Sequence, residues 1–241
     1  MIRILITGAA GFIGFHLSKA LASENYSVTG LDNFNDYYDI SLKQTRASIL
    51  KQNGVSIVTA DLTDRTSFEQ FMWDNKFDLV IHLAASVGVR HSYTNTLSYI
   101  QNNIVGTQNL IDVCKATDTT RVIYASTSCV MAGNPLPWKE DEPTGHQLNA
   151  YGYTKRTNEC QFMTSDLART IGLRFFTVYG PYGRPDMALF QFADAAVKNK
   201  PIDVYNHGDM KRDFTYVDDI VAGIKLIVNR IFEVDNPQHE I

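Results

Sequence analysis

Cysteine is scarce in this chain of 241 residues: there are three, Cys114, Cys129 and Cys160, far apart and odd in number. That excludes a disulfide framework and a paired-cysteine zinc site, and no metal ligand set is read from the sequence. No uninterrupted apolar run approaches the length of a transmembrane helix. The opening residues, Met1 to Ile6, run straight into what reads as a buried strand, without the length or small-residue cleavage site of a signal peptide. Basic residues are scattered, and the densest pair, Lys211-Arg212, is too short to track a phosphate backbone. With a formal charge of −4 there is no reason to expect a nucleic-acid partner. Internal repeats, low-complexity tracts and flexible linkers are also missing. The economical reading is a cytoplasmic protein that engages neither nucleic acid nor membrane.

What is present is ordinary in bulk and specific in pattern. An apolar fraction of 44% and a charged fraction of 20% suit a globular chain long enough for one large domain, or one domain with a small appendage. Over the first 125 residues, short Val- and Ile-rich runs at 2–6, 27–31, 55–59, 79–83 and 121–125 alternate with helical patterns, among them 13–22, 66–73 and 104–116. Alternating strands and helices, with strands apolar on both faces, predict an α/β fold built on a parallel, doubly wound sheet of Rossmann type. Right-handed crossovers then bring the C-terminal ends of the strands to one edge, where ligands bind. Beyond Ser126 the rhythm changes. A loop with Pro135, Pro137 and Pro143 leads to a helical pattern over 150–170. Next come a strand at 172–177, a Gly/Pro loop at 180–185, a helix at 188–198, a short strand at 202–205 and a helix from Val217.

The first strand ends in Thr7-Gly8-Ala9-Ala10-Gly11-Phe12-Ile13-Gly14. Glycines spaced this way between a strand and a helix serve a tight turn, close approach of backbone to a pyrophosphate, and helix-on-strand packing. The helix N-terminus adds free N–H groups and the positive end of its dipole. Three glycines alone could be a ligand-free turn; the flanking strand and helix favour a dinucleotide. Asp32, at the end of the second strand, suits a ribose-binding carboxylate, which repels a 2′-phosphate and so selects NAD over NADP. A cap or turn role is its plainer alternative. Asp61, after strand three, is expected either at the adenine edge or in a turn.

Tyr151 and Lys155 stand four apart at the start of a predicted helix and therefore face the same way. An ammonium beside a phenol favours the phenolate, which can take a proton from a sugar hydroxyl while hydride leaves the same carbon. Tyr153 lacks a lysine at that offset, because position 157 is threonine. Ser126-Thr127-Ser128 lies just beyond strand five on the same edge, where one hydroxyl could position the reacting oxygen. A surface Tyr-Lys pair and a polar loop start are the plainer readings of these two features taken singly. Their order along the chain favours the chemical one.

With those residues in hand, the chain resembles the extended short-chain dehydrogenase/reductases, in particular the NAD-dependent epimerase/dehydratase family. Thr7 to Gly14 looks like that family's cofactor loop, His82-Leu83-Ala84-Ala85 like its H-x-A-A strand end, and Asn103-Ile104-Val105-Gly106-Thr107 like its N-x-x-G-T helix. Longer segments are similar to the UDP-glucuronate 4-epimerases: Leu31 to Asp39, Arg174 to Pro181, Gly183 to Ala188, Asp203 to Gly208, and Lys211 to Ile220. The resemblance implies a catalytic set of Thr127, Tyr151 and Lys155. It implies NAD held by Gly8, Gly11, Phe12, Ile13, Gly14, Asp32, Asn33, Asp61, Leu62, Leu83, Ala84, Ala85 and Asn103 as well as by Tyr151 and Lys155. A UDP-sugar would meet Arg90, Ser128, Thr177, Arg184 and Arg212, with Thr177 and Arg184 near the sugar carboxylate and Arg212 near the diphosphate.

The implied reaction oxidises the sugar at C4, lets the ring turn over, and reduces it on the other face. The 4-keto intermediate is a β-keto acid, so its carboxylate must be kept out of alignment with the ketone or carbon dioxide is lost. The neighbouring alternatives are a UDP-glucuronate decarboxylase, another UDP-hexose 4-epimerase and, in a different class, a truncated NAD-binding module without turnover. Residues 1–177 are expected to form the NAD-binding domain, and 178–241 a small, apparently truncated substrate-binding region interleaved with the last Rossmann elements. Where the family has V-Y-G, this chain reads Val130-Met131-Ala132-Gly133, so a different pocket wall over the sugar is expected. The family also implies a homodimer, in which the helices at 104–116 and 150–170 form a four-helix bundle with their mates.

Overall fold

A computed structural model describes residues 1–233 and 238–241. Seven parallel strands form one sheet: β1 (Ile2–Thr7), β2 (Tyr26–Asp32), β3 (Ser56–Thr59), β4 (Leu79–His82), β5 (Arg121–Thr127), β6 (Arg169–Phe175) and, last in the chain, a short strand at Gln238–Glu240. Their spatial order is 3-2-1-4-5-6 followed by the last strand, the doubly wound arrangement that the alternating pattern predicts. The order reverses between β1 and β4, which opens a crevice at the C-terminal ends of those strands. A separate two-stranded parallel ribbon pairs β7 (Thr177–Tyr179) with β8 (Phe214–Tyr216), so the final sheet strand is β9.

The helices are α1 (Phe12–Ala22), α2 (Ile40–Gln52), α3 (Arg65–Asn75), α4 (Val89–Thr94), α5 (Thr96–Tyr99), α6 (Gly106–Ala116), α7 (Ala150–Met163), α8 (Ala188–Val197) and α9 (Val217–Arg230). Their starts reflect local chemistry. Asp39, Asp64 and Asn149 accept backbone N–H bonds from Ser41, Ser67 and Gly152 at 2.9, 3.2 and 2.7 Å, capping α2, α3 and α7. On α9, Asp218 and Asp219 lie in the first turn and Arg230 in the last, each complementing the helix dipole.

The sheet buries both faces. Ile4, Ile6, Ile81 and Ile123 pack with α1 and α9; Leu5, Val80, Val122 and Tyr124 pack on the opposite face with α3, α6 and Phe162 of α7. Each such fully buried aliphatic side chain contributes roughly 1.5–3 kcal/mol. The Tyr124 and Phe162 rings stack at 4.0 Å and lock α7 against β5, so the helix that carries Tyr151 is fixed to the strand that carries Thr127.

The first five expected strands are present, with ends moved by one or two residues. The second half needs correction. The helix expected over 150–170 stops at Met163, and the strand expected at 172–177 begins at Arg169 and ends at Phe175, leaving Thr177 to open β7. Hydroxyls of Thr164 and Ser165 bond carbonyls of the last helical turn, and Asp166 takes a left-handed φ of 56°, which ends the helix. Arg169 looks polar and helical in sequence but is buried in the sheet and paired with Glu240 at 2.7 Å. No strand forms at 202–205. That stretch is exposed, and the backbone turns left-handed at Asn206 and His207. The expected helix at 104–116 is preceded by a π-helical turn, Ile100–Val105, before α6 proper.

Candidate active site

The loop between β1 and α1 is shaped for close backbone approach. Gly8 has φ +73°, and a Cβ there would lie 2.8 Å from the Ala84 amide nitrogen. A Cβ on Gly14 would run into the Gly8 carbonyl oxygen. Gly11, at the helix start, leaves α1 without a side-chain cap, so its first N–H groups are available to an anion. Phe12 is buried beneath the turn, with Ile13 partly so. These features fit the pyrophosphate of a dinucleotide. No group of three His, Cys, Asp or Glu side chains is placed to hold a metal ion among the described residues.

Asp32 ends β2 beside this loop. One carboxylate oxygen accepts the Ala10 N–H at 3.1 Å and the other the Phe34 N–H at 2.9 Å. Lys43 of α2 lies 3.6 Å away, almost fully buried. Burial lowers the Lys43 pKa, and the Asp32 charge opposes that shift. Asn33 donates to Asp61 at 2.9 Å, and Thr63 donates twice to the other Asp61 oxygen. Burial pushes the Asp61 pKa up, but these hydrogen bonds outweigh it and hold the carboxyl below its usual range. Asp61 therefore has a turn role at the least, and Asn33 with Asp61 bridges the ends of β2 and β3. Leu62 is buried beside them.

Leu83, Ala84 and Ala85 continue from β4 along the same edge, facing the glycine loop. Asn103, fully buried in the π turn, secures the chain just beyond Ala85: it accepts the Ser86 N–H at 2.7 Å and donates to the Ser86 carbonyl and the Thr154 hydroxyl, each at 3.0 Å. It thus ties the β4 loop to α7. His82 is held between the Thr7 and Thr107 hydroxyls, at 2.8 and 3.0 Å. Burial, with the nearby Lys155 charge, pushes its pKa down to about 3, so it is a neutral strut.

Thr127 ends β5, and Tyr151 and Lys155 lie one turn apart on α7. Desolvation pushes the Tyr151 phenol up to about 12, with the Cys129 thiol adding to the rise; Arg184 and the Thr127 hydroxyl act the other way. Burial pushes Lys155 down to about 8 against the attraction of Glu159. The cation acting on the phenol here is Arg184, an arrangement that the four-residue Tyr-Lys spacing gives no hint of. Ser126, by contrast, is structural: its hydroxyl donates to Glu159 at 2.6 Å. Ser128 starts a short 3-10 turn, Ser128–Met131, beside Thr127.

Thr177, Arg184 and Arg212 line one pocket of about 170 Å³ together with Phe12, Phe190 and Phe214. Arg90 stands apart from these three. Its guanidinium lies 4.2 Å over the Tyr205 ring and donates to the Tyr205 hydroxyl at 3.1 Å. Sequence reasoning gave no role to Lys43, Arg46, Glu159, Tyr37 or Asp186. Arg46 is fully buried and donates to the carbonyls of Ala10 and Tyr182 at 2.9 and 2.7 Å, tying the glycine loop to the loop that carries Arg184. Tyr37 and Asp186 lie inside the segments similar to UDP-glucuronate 4-epimerases, and that was the available signal.

The family model described as "NAD dependent epimerase/dehydratase family" matches residues 4–239. A probable UDP-glucuronate 4-epimerase of Rhizobium meliloti is 43% identical over 229 residues, 92% of this chain and 67% of that protein. UDP-glucuronate 4-epimerase 1 of Arabidopsis thaliana is 45% identical over 231 residues, and the match spans 92% of this chain but about half (54%) of that relative. Among solved structures, the UDP-glucuronic acid 4-epimerase of Bacillus cereus, in complex with UDP-glucuronic acid and NAD, superposes with a TM-score of 0.91 at 34% identity. The alignment covers all of this chain and 76% of that one.

Proposed function

We propose that this chain, which belongs to the NAD dependent epimerase/dehydratase family, is an NAD-dependent isomerase that interconverts UDP-glucuronate and UDP-galacturonate at C4. The observation that carries the reading is one of placement: Thr127 at the end of β5 and Tyr151 with Lys155 at the start of α7 lie on two elements locked together by the Tyr124–Phe162 stack at 4.0 Å, on the sheet edge that also bears the glycine loop. When bound in the glycine cradle beside Asp32, NAD supplies a reversible hydride acceptor for the sugar's C4. The rest is the work of side chains. Burial above all holds the Tyr151 phenol at about 12, so it takes the C4 hydroxyl proton only as the phenolate that Arg184 and the positive charge of the oxidised cofactor would favour, and later returns it to the turned ring, while Thr127 holds the reacting oxygen in line. Lys155, buried and cationic up to about pH 8, suits a role at the nicotinamide ribose.

In this reading Arg184 and Thr177 hold the sugar carboxylate away from alignment with the C4 carbonyl, by charge-assisted and hydroxyl hydrogen bonds. Arg212, exposed at the pocket rim, meets the diphosphate, with Arg90 and Ser128 as further contacts to the nucleotide sugar. Residues 178–241 serve as the substrate-binding region, interleaved with α9 and β9. The test is a Tyr151→Phe variant assayed by chromatographic separation of the two UDP-uronates. The expected loss of turnover is on the order of 10²–10⁴-fold, with NAD binding retained; full activity in that variant contradicts the assignment.

The same reading includes a cytoplasmic homodimer formed through α6 and α7. Exposed Val105, just before α6, and Met163, at the end of α7, offer apolar contacts for a four-helix bundle. Among the described residues, no helix is long and apolar enough to cross a membrane. Light scattering that gives 27.1 kDa at micromolar concentration removes the dimer.

A further inference from the structure

A guanidinium has two usable donor edges, and in Arg184 one is already taken. Nε donates to Asp186 Oδ1 at 3.0 Å and Nη2 to Oδ2 at 2.5 Å, a bidentate pair. The Tyr37 hydroxyl donates to the same Oδ2 at 3.0 Å, and the guanidinium carbon lies 5.7 Å from the centre of the Tyr37 ring. Among the described residues no hydrogen bond engages Nη1, so the outer edge is free. Tyr37 comes from the loop after β2, and Arg184 and Asp186 from the loop after β7. Gly88 makes the meeting possible: it has φ +97°, and a Cβ there would lie 2.5 Å from the Tyr37 hydroxyl oxygen. The His91 ring meets the Tyr37 ring edge-on at 5.0 Å.

Resting on the reading of this chain as a UDP-glucuronate 4-epimerase, we propose that Asp186 and Tyr37 are positioning residues that fix the plane of Arg184, so that its free edge sets the torsion of the substrate carboxylate and thereby the ratio of epimerisation to decarboxylation. An arginine free to rotate holds a carboxylate by charge without fixing its angle to the neighbouring ketone. Asp186 pins one edge, so the charge that meets the carboxylate also carries a fixed direction. When the angle is lost, the bond between C5 and the carboxylate carbon breaks. Its electron pair enters the C4 carbonyl as an enolate that is reprotonated at C5, and carbon dioxide leaves. The NAD+ that accepted the C4 hydride stays reduced, and the product is a UDP-4-keto-pentose.

The test incubates wild type, Asp186→Asn and Tyr37→Phe with NAD+ and UDP-glucuronate carrying ¹³C in the carboxylate. Labelled carbon dioxide and bicarbonate are measured by NMR against UDP-galacturonate, with NAD binding followed by calorimetry. The expected result is a decarboxylated fraction raised about ten-fold or more in Asp186→Asn. Tyr37→Phe, which removes a single oxygen, is expected to shift the fraction in the same direction by less, and both variants to bind NAD as wild type does. Wild-type product ratios in both variants overturn the proposal, even if kcat falls, because a merely structural role lowers rate without changing partition. A wild-type enzyme that yields neither product removes the underlying reading, and the positioning role falls with it.

Discussion

Glu159 and Arg174 form a two-pronged ion pair in the interior, one helical turn beyond Lys155. Arg174 Nε and Nη2 donate to the two Glu159 oxygens at 2.9 and 3.1 Å, and neither side chain is appreciably exposed. Ser126 and Arg156 complete the carboxylate's shell at 2.6 and 3.1 Å. The pair clamps α7 to β6 and to the end of β5, which sets the distance between Thr127 and Tyr151. It also supplies the negative charge that favours the Lys155 ammonium.

Replacing Glu159 by Gln leaves a buried guanidinium without its counter-ion. The expected cost is about 3–5 kcal/mol, read as a lowered midpoint in urea at neutral pH. A midpoint unchanged from wild type would show that the clamp does not hold α7.

Lys155 gives a pH dependence with a definite sign. Its pKa is lowered from 10.5 to about 8 in the folded chain, so between those values the unfolded chain holds more protons. Stability from this group therefore rises with pH across pH 8 to 10.5 and is lost as pH falls through about 8, by at most about 3 kcal/mol. Thermal melts of wild type and Lys155→Met across this range should diverge in slope, the variant lacking the rise. Parallel curves contradict the burial of a charged ammonium at this position.

The cradle is tested at Gly14. An alanine there drives its Cβ into the Gly8 carbonyl oxygen, which must move out of the loop proposed to meet the pyrophosphate. Calorimetry should show NAD affinity reduced by about ten-fold or more. Gly54→Ala is the control for glycine substitution as such: its φ is +81°, nothing lies within 4 Å of its added Cβ, and NAD affinity should not change.

Asp32 with Lys43 makes a prediction about cofactor choice. In the proposed reading the carboxylate faces the ribose, and a buried ammonium lies 3.6 Å from it. An Asp32→Ala variant removes the charge that repels a 2′-phosphate and leaves the Lys43 cation behind. The ratio of NADP to NAD affinity should rise about ten-fold or more, measured by competition with NADH fluorescence; an unchanged ratio means Asp32 does not face the ribose.

The first half of the fold was legible in the sequence because each strand there is a short run bearing Val, Ile or Leu set between helical patterns, and each glycine of the cradle answers to local geometry. Residues 164–170 were not, because the end of α7 depends on hydroxyls bonding back to carbonyls, and Arg169 enters a buried strand where Glu240, far along the chain, pairs with it. The site divides the same way. Gly8, Gly14, Asp32, Tyr151 and Lys155 announce themselves by spacing. Arg46, Glu159 and Asp186 act by meeting partners 15 to 136 residues away or by pairing within a loop whose direction local pattern does not set. Arg184 was foreseen through the family resemblance, but its electrostatic hold on Tyr151 was not.

The most direct test is NMR of UDP-glucuronate incubated with the purified chain and NAD+, tracking the sugar H4 and anomeric signals. The account predicts the appearance of UDP-galacturonate. An unchanged spectrum from protein shown to bind NAD, or conversion to a UDP-pentose alone, contradicts it.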